Sequence, residues 1–292
     1  MKVLVTGVNG QLGWDVVRLL ERRGIPCRGV DVQDFDLLDG PAALECVREY
    51  GPDVVVHCAA YTAVDKAESE PEKCAAVNGD GTLNMVRAAL SVGAKMVYIS
   101  TDYVFSGDPP REPWAWGETD IPRPRTVYGM SKFAGEQMIQ MLYPDNSVIL
   151  RIAWLYGAGG PSFVHTMLKL GAQAGDPLKV VNDQFGNPTS TNVVADVIRF
   201  LLTKPEVSGI VHGTCEDQCS WYDFACEIKR LTPGFTRAVV PCTTAEFPRP
   251  APRPRCSALK KSVLNVLGYR TPTWQAALAA FLASSGNGRT TV

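Results

Sequence analysis

The sequence has no CxxC pair, no long basic run, and no apolar stretch near the roughly 20 residues that a membrane-spanning helix needs. It holds only three histidines, and 29 basic against 30 acidic residues leave a formal net charge of −1. A chain so balanced has no global field to attract nucleic acid or an acidic membrane surface. The opening MKVLVTGVNG has no charged leader, long apolar region or cleavage site. It is therefore expected to be a buried strand and not a signal peptide, which points to the cytoplasm. The nine cysteines are scattered and odd in number, as expected of free thiols in a reducing compartment. Cys215 and Cys219, with His212 nearby, fall short of a complete zinc ligand set.

What is present is ordinary globular material. At 292 residues the chain can bury a sizeable core as one domain or two unequal lobes. Short apolar runs rich in Val and Ile, at Lys2–Thr6, Pro26–Val30, Val54–Cys58, Lys95–Ser100 and Val148–Ile152, alternate with amphipathic stretches. Those stretches include Gln11–Arg22, Ala42–Tyr50, Gly79–Ser91 and Ser131–Leu142. Continuously apolar strands separated by helices predict an α/β, doubly wound parallel sheet of Rossmann type, covered on both faces. After residue 155 the rhythm breaks, and Phe247-Pro-Arg-Pro-Ala-Pro-Arg-Pro254 cannot be regular helix. The expected division is a dinucleotide-binding domain over 1–154, joined by about 187–212, and a smaller, partly discontinuous C-terminal substrate-binding lobe over 155–186 and 213–283. The end, 284–292, is expected to be a disordered tail.

Two segments carry chemistry. The first strand runs into Gly7-Val8-Asn9-Gly10-Gln11-Leu12-Gly13 and then a helix, a GxxGxxG turn suited to a pyrophosphate. Gly7 serves the tight turn, Gly10 lets the backbone approach the phosphates, and Gly13 permits close helix–strand packing. The uncompensated N–H groups of the helix start then face the anion. Asp31, about 20 residues beyond, suits an adenosine ribose and favours NADH, while nearby Arg28 keeps NADPH open. In the second segment, Tyr128 and Lys132 lie one helical turn apart, where an ammonium is expected to draw the phenol's pKa down toward neutrality. The strand ending at Ser100 and Thr101 brings hydroxyls to the same end of the sheet, where either one can hold a substrate oxygen.

TGVNGQLG, VHCAAYTAVDKAE, STDYVFSG, YGMSKFAGE, LRIAWLYG, DQFGNPTS and FPRPAPRPRCSAL occur in an order that resembles the extended short-chain dehydrogenase/reductase family over most of the chain. The resemblance implies NADPH- or NADH-dependent reduction of the C4 ketone of a nucleotide-linked 4-keto-6-deoxy sugar. By it, Gly10, Gln11 and Leu12 meet the cofactor phosphates, and Asp31, Asp36 and Leu37 line the adenosine end. Ala59, Ala60 and Tyr61 pass the ribose and nicotinamide, and Thr101, Tyr128 and Lys132 form the catalytic set. Val104, Phe105, Trp154 and Arg253 are the implied sugar-nucleotide contacts. Related ketoreductases and epimerases share such residues, and the fold alone would serve a non-catalytic NADP-binding regulatory subunit. Ser162 and Cys256 stand where relatives often carry asparagine. Some relatives bind magnesium at a dimer interface through glutamates; here only Asp15 offers itself, so the sequence does not support magnesium. Monomer and homodimer both stay open.

Overall fold

The computed structural model describes residues 1–108 and 114–286. Its centre is a six-stranded sheet. In spatial order the strands are Gly209–His212, Ser147–Ile152, Lys95–Thr101, Val54–His57, Val3–Thr6 and Cys27–Val30. Every pairing in it is parallel. Valines and isoleucines at both pleat positions of the inner strands are buried on both faces, because each face carries helices. One face packs Val5, Val56 and Val97 against Leu12, Val16 and Ile198 of the helices Gln11–Arg22 and Thr191–Leu202. The other packs Leu4, Val55 and Met96 against Val47 and Met85 of the helices Gly40–Tyr50 and Gly81–Ser91. Each fully buried side chain of this size contributes roughly 1.5–3 kcal/mol, so these layers hold the sheet rigid under the site.

The chain starts inside the sheet, moves outward to Cys27–Val30, then returns past its start to Val54–His57. Successive strands therefore leave in opposite directions from Val3–Thr6, and a crevice opens at their carboxyl ends. The proposed switch from strand rhythm after residue 155 corresponds to a second core around Tyr156, Phe224, Trp274 and Phe281.

Several elements differ from the sequence expectation. The helix expected at Ser131–Leu142 begins earlier, spanning Val127–Leu142, because the Thr126 side chain caps it through Gly129 N–H at 2.9 Å. The helix Trp221–Leu231, absent from the expectation, has both signals written in the sequence: apolar Trp221, Phe224, Ala225 and Ile228 at helical spacing, and a capping box of Ser220 with Asp223. The last helix, Trp274–Gly286, carries regular structure into the segment expected as a disordered tail, and the rest of that segment, 287–292, lies outside the described residues. No helix among the described residues is long and apolar enough to cross a membrane.

Candidate active site

The glycine turn and the loop after the third strand form the floor of the crevice. Gly7 has φ +72°, and a Cβ there would lie 2.7 Å from the Ala59 backbone. A Cβ on Gly13 would lie 2.3 Å from the Gly7 carbonyl oxygen, so helix and turn approach more closely than any side chain permits. Thr6 Oγ1 accepts the Ala59 N–H at 3.1 Å, tying the two loops together. Gly10 precedes the helix without a side-chain cap, leaving first-turn N–H groups for an anion. Only backbone is on offer from the next two residues: Gln11 Nε2 donates to the Pro161 carbonyl at 2.8 Å, and Leu12 is buried in the core. These features fit a dinucleotide pyrophosphate.

At the adenosine end, Asp31 accepts the Asn9 and Val32 N–H groups, both at 2.8 Å, and so braces the glycine turn. Arg28 pairs with Glu49 at 3.2 Å on the surface, a weak contact that leaves it free to turn toward a 2′-phosphate at little cost. Asp36 Oδ1 accepts the Leu38 N–H at 2.9 Å, while the Leu37 carbonyl is held by Asn84 at 2.9 Å.

At the nicotinamide end the structure reveals a residue that the sequence reading passes over. Asn78 is 1% exposed and sits in the π-helical turn Ala76–Asp80. Its amide accepts the Tyr61 N–H at 2.8 Å and donates to the Tyr61 carbonyl at 3.0 Å and to Ser131 Oγ at 2.9 Å. Ser131 in turn donates to the Tyr128 carbonyl at 2.8 Å. Asn78 thus joins the Ala59–Tyr61 loop to the helix that carries Tyr128 and Lys132. The available signal was an amide inside an otherwise apolar helix, a place where such a side chain needs partners. Tyr61 is held from its other end, its hydroxyl donating to Glu70 at 2.8 Å.

The Tyr128 phenol and the Thr101 hydroxyl are neighbours, and the threonine Oγ1 also accepts the Tyr103 N–H at 3.2 Å. Glu68 accepts the Val127 N–H at 3.0 Å, so the helix start is pinned from outside as well as by Thr126. A Cβ on Gly129 would lie 2.3 Å from the Tyr103 carbonyl oxygen, which is how the helix comes so near the loop after Thr101. Tyr103 meets the Tyr128 ring edge-on, centroids 5.7 Å apart. Lys132 is 2% exposed, with its ammonium over the Tyr98 ring at 4.0 Å.

The electrostatics reverse one expectation. Burial pushes the Tyr128 phenol above its ordinary value, the neighbouring Thr101 hydroxyl pulls only partly back, and Asp102 adds to the rise. None of the leading effects on Tyr128 comes from Lys132, which was expected to lower it. Desolvation outweighs attraction here because the lysine is itself stripped of water: burial lowers it to about 7, against a smaller opposing pull from Glu136. Asp102, bonded by Thr101 Oγ1 at 3.0 Å, is raised by burial to about 6. His57, buried beneath Lys132, is driven down to about 3 by burial and that same lysine, so it is neutral at physiological pH. The Lys132 shift has two readouts. The unfolded chain binds the lysine proton up to its ordinary 10.5 and the folded chain only up to about 7, so the lysine's penalty on folding relaxes as pH rises between them. In the free enzyme the ammonium is lost over the same rise, and kcat/KM against pH is expected to fall above about 7.

On the substrate side the implied residues separate. Val104 is 0% and Phe105 2% exposed, packed with Trp116, Ala153 and Leu259. The Phe105 ring stacks on Trp116 at 4.5 Å. Both sit on or just after the short helical turn that follows Thr101, and Phe105 also lines the cavity beside Arg253. Trp154 is half-buried, packed against the same cluster. It takes φ +46°, strained for a bulky residue, and stacks on Trp221 with centroids 3.6 Å apart. Arg253 lies beside a cavity of about 120 Å³ that Tyr103, Ser106, Arg125 and Thr126 also line.

With this geometry, a full-length family match becomes decisive. The family described as "RmlD substrate binding domain" matches residues 1–286. The chain is 43% identical over 280 residues, 94% of its length and 91% of the relative's, to a protein from Streptomyces griseus named dTDP-4-dehydrorhamnose reductase. The chain belongs to the dTDP-4-dehydrorhamnose reductase family. A reductase structure from Clostridium acetobutylicum superposes with a TM-score of 0.92 at 42% identity, covering 97% of this chain and 99% of that one. A second, from Bacillus anthracis and in complex with NADP, gives a TM-score of 0.92 at 36% identity, with 97% and 99% coverage.

Where this member of the dTDP-4-dehydrorhamnose reductase family departs from the expected asparagines, the structure explains one position. Ser162 caps the helix Phe163–Gly171, a task that serine and asparagine share. Cys256 is buried, its thiol donating to the Trp114 carbonyl at 3.2 Å. Asp15, the one acidic residue set against a magnesium site, accepts a hydrogen bond from Thr191 and is raised by burial. Among the described residues no group of three or more His, Cys, Asp or Glu side chains is arranged to hold a metal.

Proposed function

We propose that this chain reduces the C4 ketone of dTDP-4-dehydro-L-rhamnose to dTDP-L-rhamnose, with Tyr128 as the proton donor. The observation that carries the reading is the wiring of the Tyr128 and Lys132 helix, through Ser131 and Asn78, to the Ala59–Tyr61 loop, with Tyr128 beside Thr101 at the carboxyl edge of the sheet. A bound NADPH or NADH supplies the hydride. A phenol held protonated by burial delivers its proton to the sugar oxygen as charge develops there, and the Thr101 hydroxyl steadies the same oxygen. Lys132 would hold the nicotinamide ribose and, in its protonated form, place positive charge near Tyr128. Gly7, Gly10, Gly13 and the backbone of Gln11 and Leu12 take the pyrophosphate, Asp31, Asp36 and Leu37 the adenosine end, and Ala59, Ala60 and Tyr61 the nicotinamide side. Trp154 and Arg253 face the sugar nucleotide, supplied by a lobe over 155–186 and 213–283. A nucleotide-sugar substrate and a cytoplasmic setting suit a chain of this charge, acting as monomer or homodimer.

The test is an assay with dTDP-4-dehydro-L-rhamnose and each reduced cofactor in turn, with the sugar product identified by NMR. Stoichiometric oxidation of cofactor with formation of dTDP-L-rhamnose is the expected result. Isomerisation without net consumption of reductant would mean an epimerase, and the reading would fall.

A further inference from the structure

The proline-rich segment reaches the crevice without the support of a backbone ladder. Between Phe247 and Pro254 every second residue is proline, which has no N–H, so few amide donors remain to anchor it. One of them, Ala251 N–H, donates to Asp65 Oδ1 at 3.3 Å. The same oxygen pairs with Arg253 Nη2 at 2.8 Å, and the other with Arg249 Nη2 at 3.1 Å. Asp65 belongs to the short helix Val64–Ala67, which continues the loop expected to pass the nicotinamide. One carboxylate therefore fastens the substrate-side segment to the cofactor-side loop.

We propose that Asp65 is a positioning residue for the substrate, holding Arg253 at the edge of the crevice for the diphosphate of the sugar nucleotide. The inference rests on the reading of Arg253 as a substrate contact. Arg253 is well enclosed, with 17% of its side chain exposed against 48% for Arg249, so the Asp65 pair works at reduced dielectric and in one geometry. Arg253 Nη1 also donates to the Ala251 carbonyl at 3.0 Å, which closes a tight ring of contacts around the Ala251 peptide. A guanidinium carries more N–H donors than these acceptors use, and the remainder are available to a phosphate. Burial raises the Tyr103 phenol, and Arg253 is near enough to be the largest effect opposing that rise; Tyr103 in turn touches the Tyr128 ring. The arginine is thus set on the path from the diphosphate to the reacting ketone.

The experiment is steady-state kinetics with dTDP-4-dehydro-L-rhamnose and NADPH on the wild-type protein, Asp65→Asn, Arg253→Ala, Arg249→Ala and the Asp65→Asn/Arg253→Ala double variant. Asp65→Asn keeps the shape and the Ala251 contact but removes the charge. It is expected to raise KM for the sugar nucleotide about ten-fold, with kcat and KM for NADPH close to wild type. The double variant is expected to be no worse than Arg253→Ala alone, because Asp65 acts through that arginine. Arg249→Ala is expected to leave KM near wild type. Three results would overturn the proposal: an unchanged KM in Asp65→Asn while Arg253→Ala raises it, multiplying effects in the double variant, or an Arg249→Ala defect as large as that of Asp65→Asn. An Arg253→Ala enzyme with normal KM, or a wild-type protein without turnover, would instead remove the reading beneath it, and the proposal with it.

Discussion

Replacing Tyr128 with phenylalanine is expected to lower kcat by at least about 10²-fold while cofactor binding, followed by fluorescence titration, stays close to wild type. The substitution deletes one oxygen and leaves the ring, so the edge-on contact with Tyr103 and the capped start of the helix are retained. What is lost is the proton donor. Burial makes this donor a strong holder of its proton, which suits the reductive direction: at neutral pH the phenol is protonated and ready, and it releases the proton only when the sugar oxygen becomes basic. Near-normal turnover in Tyr128→Phe would remove Tyr128 from the chemistry and shift attention to Asp102, the buried acid bonded to Thr101.

The largest effect on stability is expected from Arg151→Met. Arg151 and Glu136 are both 0% exposed, joined by two bonds, Nε–Oε1 at 2.8 Å and Nη2–Oε2 at 2.6 Å. Ser100 adds a hydrogen bond to the same carboxylate at 2.5 Å, and the guanidinium lies over the Phe105 ring at 5.0 Å. Removing the arginine strands a carboxylate in the interior, at a cost of about 3–5 kcal/mol in denaturant unfolding. A double variant, Arg151→Met with Glu136→Leu, is expected to recover much of that loss, since no unpaired charge is left behind. If the single variant unfolds like wild type, the pair is not holding the helix Val127–Leu142 to the sheet. The function is at stake too, because Glu136 lies one turn after Lys132 and is the largest effect opposing the lysine's loss of charge.

The parts of this site that were legible in the sequence share a property: they depend on near neighbours along the chain. Gly7 and Gly13 announce a turn because the backbone there cannot carry a side chain, and the contacts at 2.7 Å and 2.3 Å bear that out. The parallel sheet follows from apolar strands alternating with helices, and its strand limits shift by only a residue or two. The parts that were not legible depend on what arrives from far away. Val104 and Phe105 sit next to a catalytic candidate in the chain, yet Trp116 and Leu259 enclose them. Asn78 reads as one polar residue in a helix until Tyr61 and Ser131 converge on it. Asp65 reads as a solvated carboxylate until the segment near residue 250 folds over it.

By itself, then, the sequence determined the covered parallel sheet, the tight glycine turn and the pairing of a tyrosine with a lysine on one helix, since each is set by local sterics and periodicity. Only the tertiary structure decided the charge states. Whether Lys132 draws Tyr128 down or loses its own proton is a contest between attraction across a few ångströms and the removal of water from both groups. Water is removed by the sum of everything packed around them, and that sum exists only once the chain has folded.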